Sequence, residues 1–228
     1  MTTVKGRGVR AEKARETRQR MLRAAHDLFV ERGYGATPLQ DVADRAGVAV
    51  QTIYFTFGNK RALLKELVDV TIAGDDEPVA TMDRPWFREA LAAETAEAHL
   101  LAHVEGTRAV LERVAPITSM VGAAVATEPE IAELWPSETD PRLTVQAAAA
   151  TALMAKPGAR ADVSAERAAD LLYCVLSTEL YLLFVRKRQW TPEEWERWAF
   201  ESLRPQLCTP HGTAPPSGTA RGPRRPTS

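Results

Sequence analysis

The chain has 228 residues, of which 45% are hydrophobic, and a formal net charge of −1. This composition is ordinary for a globular protein, and two cysteines exclude a framework of disulfides. The charge is unevenly distributed, because residues 1–65 hold 13 Lys and Arg against 6 acidic residues, and the remainder hold 16 against 24. A basic first quarter suits phosphates and an acidic remainder repels them, so we expect the two parts to have different partners.

The chain begins with a basic segment, residues 1–13, that we expect to be a disordered arm. Such an arm would either reach into a DNA minor groove or remain a solvated tail. After it, the apolar spacing between Met21 and Phe29 predicts a long helix that ends at Gly33.

Residues 37–60 predict two short helices around a tight turn. Thr37 and Gln40 have the spacing of a capping box, and the backbone N–H of Thr37 could also donate to a phosphate. Gly47 ends the first helix where a helix-turn-helix needs its turn. The next helix, about 50–57, points Ile53 and Phe57 inward and leaves other faces able to enter a groove.

The same stretch resembles the N-terminal signature of the tetracycline-repressor (TetR) family of bacterial transcription regulators. The matching residues are Leu28-Phe29, Gly33-Tyr34, Thr37, Val42-Ala43, Ala46-Gly47-Val48, Thr52-Ile53-Tyr54, Phe57 and Lys60. Two positions depart from the pattern, since the family usually has Ser in place of Ala49 and commonly His in place of Thr56. The resemblance implies a DNA-binding regulator that lacks one helix cap and one phosphate donor.

The candidate DNA contacts are Thr37, Val50, Gln51, Thr52, Tyr54, Phe55 and Lys60. Gln51 can pair with an adenine edge, and Thr52 and Val50 can meet a thymine methyl group. Tyr54 and Lys60 can hold phosphates, where they also match the family motif. The alternative is that these side chains form a solvated face.

Asn59 can cap a further helix that carries apolar residues from Leu63 to Val70. We expect this helix to act as a hinge, because it starts beside the DNA at Lys60 and runs toward the second domain. The acidic break at 74–78 closes a first domain that spans residues 14–73.

The second predicted domain, residues 84–208, shows only helical patterns, so the predicted fold is all-α with two domains. A tail rich in Pro, Gly, Ser and Thr, residues 209–228, is expected to be disordered. The predicted helices of this domain are 85–93, 96–114, 117–135, 142–156, 165–189 and 192–207.

The last two predicted helices carry more apolar surface than a peripheral helix needs. In the TetR family these helices pair across a two-fold axis as a four-helix bundle, so the resemblance implies a homodimer. The candidate interface residues are Leu172, Leu176, Leu180, Trp195 and Trp198.

No nucleophile elbow, phosphate-binding glycine loop or Ser-x-x-Lys pair is present in the sequence. His99 and His103 have the spacing of a metal-binding pair, but no third ligand is evident, so we predict neither a metal nor a cofactor. Aromatic, Met and polar residues could line an effector cavity, although ordinary core packing is the alternative for each. The candidate effector residues are Trp86, Phe87, His99, His103, Met120, Trp135, Tyr173 and Glu179.

The sequence therefore predicts a cytoplasmic homodimeric repressor that releases a palindromic double-stranded DNA operator when it binds a small, largely apolar effector. One alternative is a regulator of the same fold without an effector. Another is a small helical enzyme whose basic N-terminal region has no role in binding DNA. Cys174 and Cys208 form no disulfide or zinc pattern, which favours a reducing compartment. The most apolar stretch, 171–185, is interrupted and too short for a membrane span, and no signal peptide is evident.

Overall fold

The computed structural model describes residues 4–74, 80–135 and 140–210, and within them all named secondary-structure elements are helical. The prediction of an all-α fold is confirmed. The first four helices are α1 (Val4–Arg32), α2 (Leu39–Ala46), α3 (Val50–Phe57) and α4 (Lys60–Ala73).

The rest of the described chain contains six further α-helices and three short helical turns. They are α5 (Pro85–Ala92), α6 (Ala96–Thr127), α7 (Pro141–Met154), α8 (Ala165–Val175), α9 (Thr178–Tyr181) and α10 (Pro192–Leu207). Two 3-10 turns, Thr81–Asp83 and Pro129–Leu134, precede α5 and follow α6, and a π-helical turn, Leu182–Lys187, continues α9.

The buried side chains form two hydrophobic clusters, and α6 belongs to both. The head cluster comprises the inner faces of α1 to α4 together with the second half of α6, including Ile117 and Met120. The body cluster comprises α5, the first half of α6, and the inner faces of α7, α8 and α10, including Leu100 and Trp195. One continuous helix therefore connects the two cores mechanically.

Pro116 lies inside α6, whereas the sequence predicted that it would separate two helices. A proline within a helix removes one backbone hydrogen bond and clashes with the preceding turn, at a cost of about 3 kcal/mol. Here Ala115 and Ile117, on either side of it, are both fully or almost fully buried, one in each cluster. Burial on both sides of the proline offsets its cost, which a local propensity argument does not include.

The predicted disordered arm at 1–13 is a second correction, because α1 already begins at Val4. Extending a helix that has already nucleated costs far less than starting one, so the long amphipathic helix that follows can propagate into this polar segment. Residues 1–3 and most of the predicted tail, 211–228, lie outside the described residues.

The predicted helix 165–189 is interrupted at Ser177, whose backbone is extended and whose side-chain oxygen accepts a hydrogen bond from Leu180 N at 3.2 Å. Serine competes for helical backbone groups in this way and starts a new helix instead. The boundary of α10 was predicted correctly, and its capping box between Thr191 and Glu194 is present.

Two stretches, Ala96–Thr127 and Ala165–Lys187, are long and apolar enough to span a membrane by length and composition alone. The core helices of a globular protein pass the same test. The first stretch supplies buried residues to both hydrophobic clusters, and Arg108 within it pairs with Glu196 of α10 at 2.5 Å. These features are those of a core helix.

Candidate nucleic-acid interface and buried polar cluster

The turn between α2 and α3 fixes the direction of α3. Gly47 adopts a left-handed conformation with φ 66°, which glycine accepts without strain, and Val48 N donates to Ala43 O at 3.0 Å. Ile53 and Phe57 then anchor α3 in the head cluster. Ala49 precedes α3 without providing a side-chain cap, as expected from its departure from the family pattern.

The outer face of α3 presents the side chains that the sequence singled out for base contacts. Gln51 is exposed, Tyr54 is 52% exposed and Phe55 is 93% exposed. Thr52 and Val50 are half-buried, and Val50 packs against the head cluster. Tyr54 and Phe55 therefore place two aromatic side chains on the solvent-facing side of a helix whose inner face is anchored.

Thr37 does not cap α2 and does not offer its backbone to a ligand. Its side chain is completely buried and donates to the carbonyl oxygen of Gly33 at 2.8 Å, while its N–H donates to Tyr34 O at 3.2 Å. Gln40, the other half of the predicted capping box, instead donates to Asp44 on the same helix. The hydroxyl of Thr37 therefore closes the α1–α2 turn, and α2 begins after Pro38 without a side-chain cap.

Lys60 also points inward. Its ammonium donates to the carbonyl oxygen of Tyr34 at 2.6 Å and lies 4.1 Å from the centre of the Tyr34 ring. Burial lowers the pKa of Lys60, and the nearby carboxylate of Glu128, which follows α6, acts in the opposite direction. In this conformation the lysine joins α4 to the α1–α2 turn.

Four of the predicted effector residues lie together in the body cluster or at its edge. Phe87, His99 and His103 are fully or almost fully buried, and Trp86 is half-buried against them. The ring of His103 lies 5.8 Å from that of Trp86 and 5.9 Å from that of Phe87. Its Nε2 lies 2.8 Å from Oε1 of Gln146, a partner on α7 that the sequence reasoning missed.

The other four predicted effector residues lie elsewhere. Met120 and Trp135 pack in the head cluster. Glu179 is exposed and pairs with Arg142 at 3.4 Å, and the same guanidinium lies over the ring of Tyr173. Glu179 is therefore a surface ion-pair partner and not the polar anchor of a cavity.

Two clefts lie at the junction of head and body. One, of about 590 Å³, lies among α1, α4 and α6, and the other, of about 740 Å³, lies between the α1–α2 turn, α6 and the π-helical turn. Pro116 lines both of them, and Met120 is the only predicted effector residue that lines either. The cavity expected among the central helices is not one of these clefts.

The predicted dimer interface is only partly on the surface. Leu172, Leu176 and Trp195 are buried within the body cluster, so they pack inside one chain and cannot also face a partner. Leu180 and Trp198 are half-buried. An apolar surplus in a sequence shows that a residue is buried but not whether its neighbour belongs to the same chain.

The comparisons with known proteins agree with the geometry of the head. The family described as "Bacterial regulatory proteins, tetR family" matches residues 21–67. The HTH-type transcriptional regulator TtgR of Pseudomonas putida is 43% identical over 58 residues, which are 25% of this chain and 28% of TtgR. The HTH-type transcriptional activator FasR of Mycolicibacterium smegmatis is 37% identical over 70 residues, which are 29% of this chain and 32% of FasR. These matches therefore span less than a third of each relative.

Likeness in fold extends over most of the chain. A protein from Saccharomonospora viridis, solved in complex with choline, aligns with a TM-score of 0.64 and 19% identity over 86% of this chain and 99% of that one. At this identity the likeness concerns the fold alone. The sequence likeness to the tetR family of bacterial regulatory proteins covers residues 21–67, and the likeness over the rest of the chain is one of fold.

Proposed function

We propose that the protein is a DNA-binding transcription regulator in which α3 enters the major groove of double-stranded DNA. The observation that carries this proposal is the division of α3 into an inner face anchored by Ile53 and Phe57 and an outer face that exposes Gln51, Tyr54 and Phe55. A short helix of this kind, held against a preceding helix by a glycine turn, is the docking geometry of a recognition helix.

Two copies of the chain are expected to bind one operator. Most helix-turn-helix regulators act as two-fold dimers, so the DNA site should be a near-palindrome with half-sites about 34 Å or a multiple of it apart. The surface around α8, α9 and the π-helical turn supports this proposal, because Leu183 is 42% exposed there beside the half-buried Leu180. We place the protein in the cytoplasm, where its DNA would be.

We further propose that the regulator is a repressor relieved by a small molecule, and that it is not an enzyme. This proposal is supported by α6, which contributes buried side chains to both clusters. A conformational change in the body cluster can therefore move the helices of the head cluster. A ligand that binds better to one arrangement of the two heads must change DNA affinity by the same factor by which DNA changes ligand affinity. This coupling would reside in α6 and in its contacts with α4.

A regulator of the same fold without an effector is the second candidate. It is favoured by the mutual packing of Phe87, His99 and His103, because neither of the two clefts described above lies among these residues. In that case the body would serve only to join two heads.

Selection of bound DNA from a random pool, followed by a screen for compounds that release it, tests both candidates. A near-palindromic consensus supports the DNA-binding proposal, and protein that enriches no sequence overturns it. If a consensus is found but no compound class weakens binding, the candidate without an effector is favoured. Measuring transcription from a promoter that carries the consensus, with and without the protein, then gives the sign of regulation.

A further inference from the structure

Three successive turns of α6 carry buried polar side chains that lack partners. His99, His103 and Thr107 follow one another at four-residue spacing and therefore lie along one face of the helix. Within the described part of the chain, both ring nitrogens of His99, Nδ1 of His103 and Oγ1 of Thr107 are buried without a hydrogen bond. Each unsatisfied buried polar group costs roughly 1–3 kcal/mol, so a line of them inside an apolar core requires an explanation.

The line of polar groups is uncharged at neutral pH. Burial, helped by the neighbouring His103 and Lys156, lowers the pKa of His99 to about 4, and burial also lowers the pKa of His103. The ammonium of Lys156 is held by the carbonyl oxygens of Leu91 and Ala93, at 2.9 and 2.6 Å. Each neutral imidazole has one N–H donor and one acceptor nitrogen, and a hydroxyl both donates and accepts.

Hydrogen bonding defines which atoms remain available. If the Oε1 of Gln146 accepts from Nε2 of His103, as the 2.8 Å distance indicates, then Nδ1 of His103 is an acceptor. His99 adds one donor and one acceptor, and Thr107 adds one of each. The line can therefore satisfy a ligand group that both donates and accepts, such as a hydroxyl.

Trp86 covers this face of α6 and rests on a glycine. A β-carbon placed on Gly106 would lie 2.2 Å from Cε3 of the Trp86 ring, so only glycine allows the indole to sit this close. The same ring lies 5.8 Å from that of His103 and is itself half-buried, which means that one side of it faces solvent. Trp86 thus separates the polar line from the outside through a contact that depends on one residue.

We propose that His99, His103 and Thr107 form a closed ligand site, gated by Trp86, that accepts a neutral aromatic molecule carrying a hydroxyl group. The aromatic body would lie against Trp86 and Phe87, and the hydroxyl would bond to the polar line on α6. The idea rests on the proposed effector function and specifies its ligand class. An organic anion does not fit, because the side chains that form the site are uncharged and would leave the anion without a partner.

Titration of the full-length protein with phenol, toluene and benzoate, followed by calorimetry, tests the ligand class. Phenol should bind at least about tenfold more tightly than toluene, which has the same body without a hydrogen-bonding group, and benzoate should bind most weakly at neutral pH. The double variant His99→Leu/Thr107→Val keeps only the Nδ1 acceptor of His103 and should lose most of the preference for phenol over toluene. Thr151→Val, which removes an exposed hydroxyl on α7, is the matched control and should retain the preference.

Gly106→Ala tests the gate without removing a polar atom. It should displace the indole and increase quenching of tryptophan fluorescence by acrylamide, and this increase should disappear when Trp86→Phe is added. A melting curve establishes that each variant is folded.

Equal affinity for phenol and toluene, no binding of either, or a preference that is undiminished in the double variant would each overturn the site, as would unchanged quenching in Gly106→Ala. The DNA selection described above is independent of these measurements. A palindromic consensus without phenol binding therefore refutes the ligand site and leaves the DNA-binding function intact. Phenol binding without any DNA consensus supports the ligand site and refutes the DNA-binding function.

Discussion

The ammonium of Lys60 donates a 2.6 Å hydrogen bond to the main-chain carbonyl of Tyr34 and ties the start of α4 to the turn between α1 and α2. The sequence motif predicted that this lysine would hold a DNA phosphate. Glu128, at the end of α6, acts electrostatically on the pKa of both residues, raising each. Lys60 thus bonds to a backbone oxygen of the α1–α2 turn and also feels the carboxylate of Glu128, which follows the half of α6 that packs in the head cluster.

Lys60→Met should therefore reduce the stability of the head more than it reduces DNA affinity. A hydrogen bond from a charged donor contributes about 1.5–3 kcal/mol, and methionine keeps most of the apolar stem without the donor. Thermal unfolding measures the loss of stability, and the slope of log affinity against log salt concentration measures the contribution of Lys60 to DNA binding. A slope that falls by about one for each lysine removed would instead show that Lys60 leaves Tyr34 for a phosphate in the complex.

Gln51→Ala should weaken sequence-specific binding to the operator without changing non-specific binding to DNA. The side chain is exposed on the outer face of α3, so its loss should cost about 1–3 kcal/mol on the selected operator and little on random DNA. The salt slope should remain that of the parent. Gln40→Ala is the matched control, because Gln40 lies on α2 and bonds to Asp44. Equal losses on operator and random DNA would mean that another side chain, such as the exposed Phe55, reads the bases.

Leu183→Glu should dissociate the proposed dimer. Leu183 is 42% exposed in the π-helical turn, and a charge there would be desolvated against the partner. Leu91→Glu, on α5, changes a leucine that is 39% exposed and should leave the dimer intact. Sedimentation of both variants at one concentration gives their oligomeric states. A Leu183→Glu protein that remains dimeric would show that this surface is not the dimer interface.

The sequence predicted the fold best where a local signal determines the local structure. Gly47 at the end of α2, Asn59 as the cap of α4, and the Thr191–Glu194 box each lie where they were expected. Such signals operate within a few residues, so their effect does not depend on the rest of the chain.

Predictions failed where several local partners competed or where burial at a distance decided the outcome. Thr37 was interpreted as the cap of α2, but its hydroxyl donates to the carbonyl oxygens of Leu28 and Gly33 at the end of α1. Pro116 was interpreted as a helix border, but α6 continues through it because both of its neighbours are buried. Trp195 was assigned to a dimer interface since its burial was evident and its partners were not. Thr107 could have been found, because it continues the four-residue spacing of His99 and His103.

The burial of His99 predicts how the stability of the protein depends on pH. Its pKa in the folded protein is about 4, below the value of roughly 6.5 expected in the unfolded chain, so the unfolded state binds more protons between these two values. The free energy of unfolding should therefore be highest above about pH 6.5 and should fall as the pH is lowered toward 4, by at most about 1.4 kcal/mol per pH unit for this one site. His103, whose pKa is also lowered by burial, acts in the same direction. Urea unfolding of the parent and of His99→Leu, each referred to its own stability near neutral pH, should show a shallower acid loss in the variant. Identical slopes in the two proteins would mean that His99 reaches solvent or finds a partner in solution, and that the polar line on α6 is hydrated and not closed.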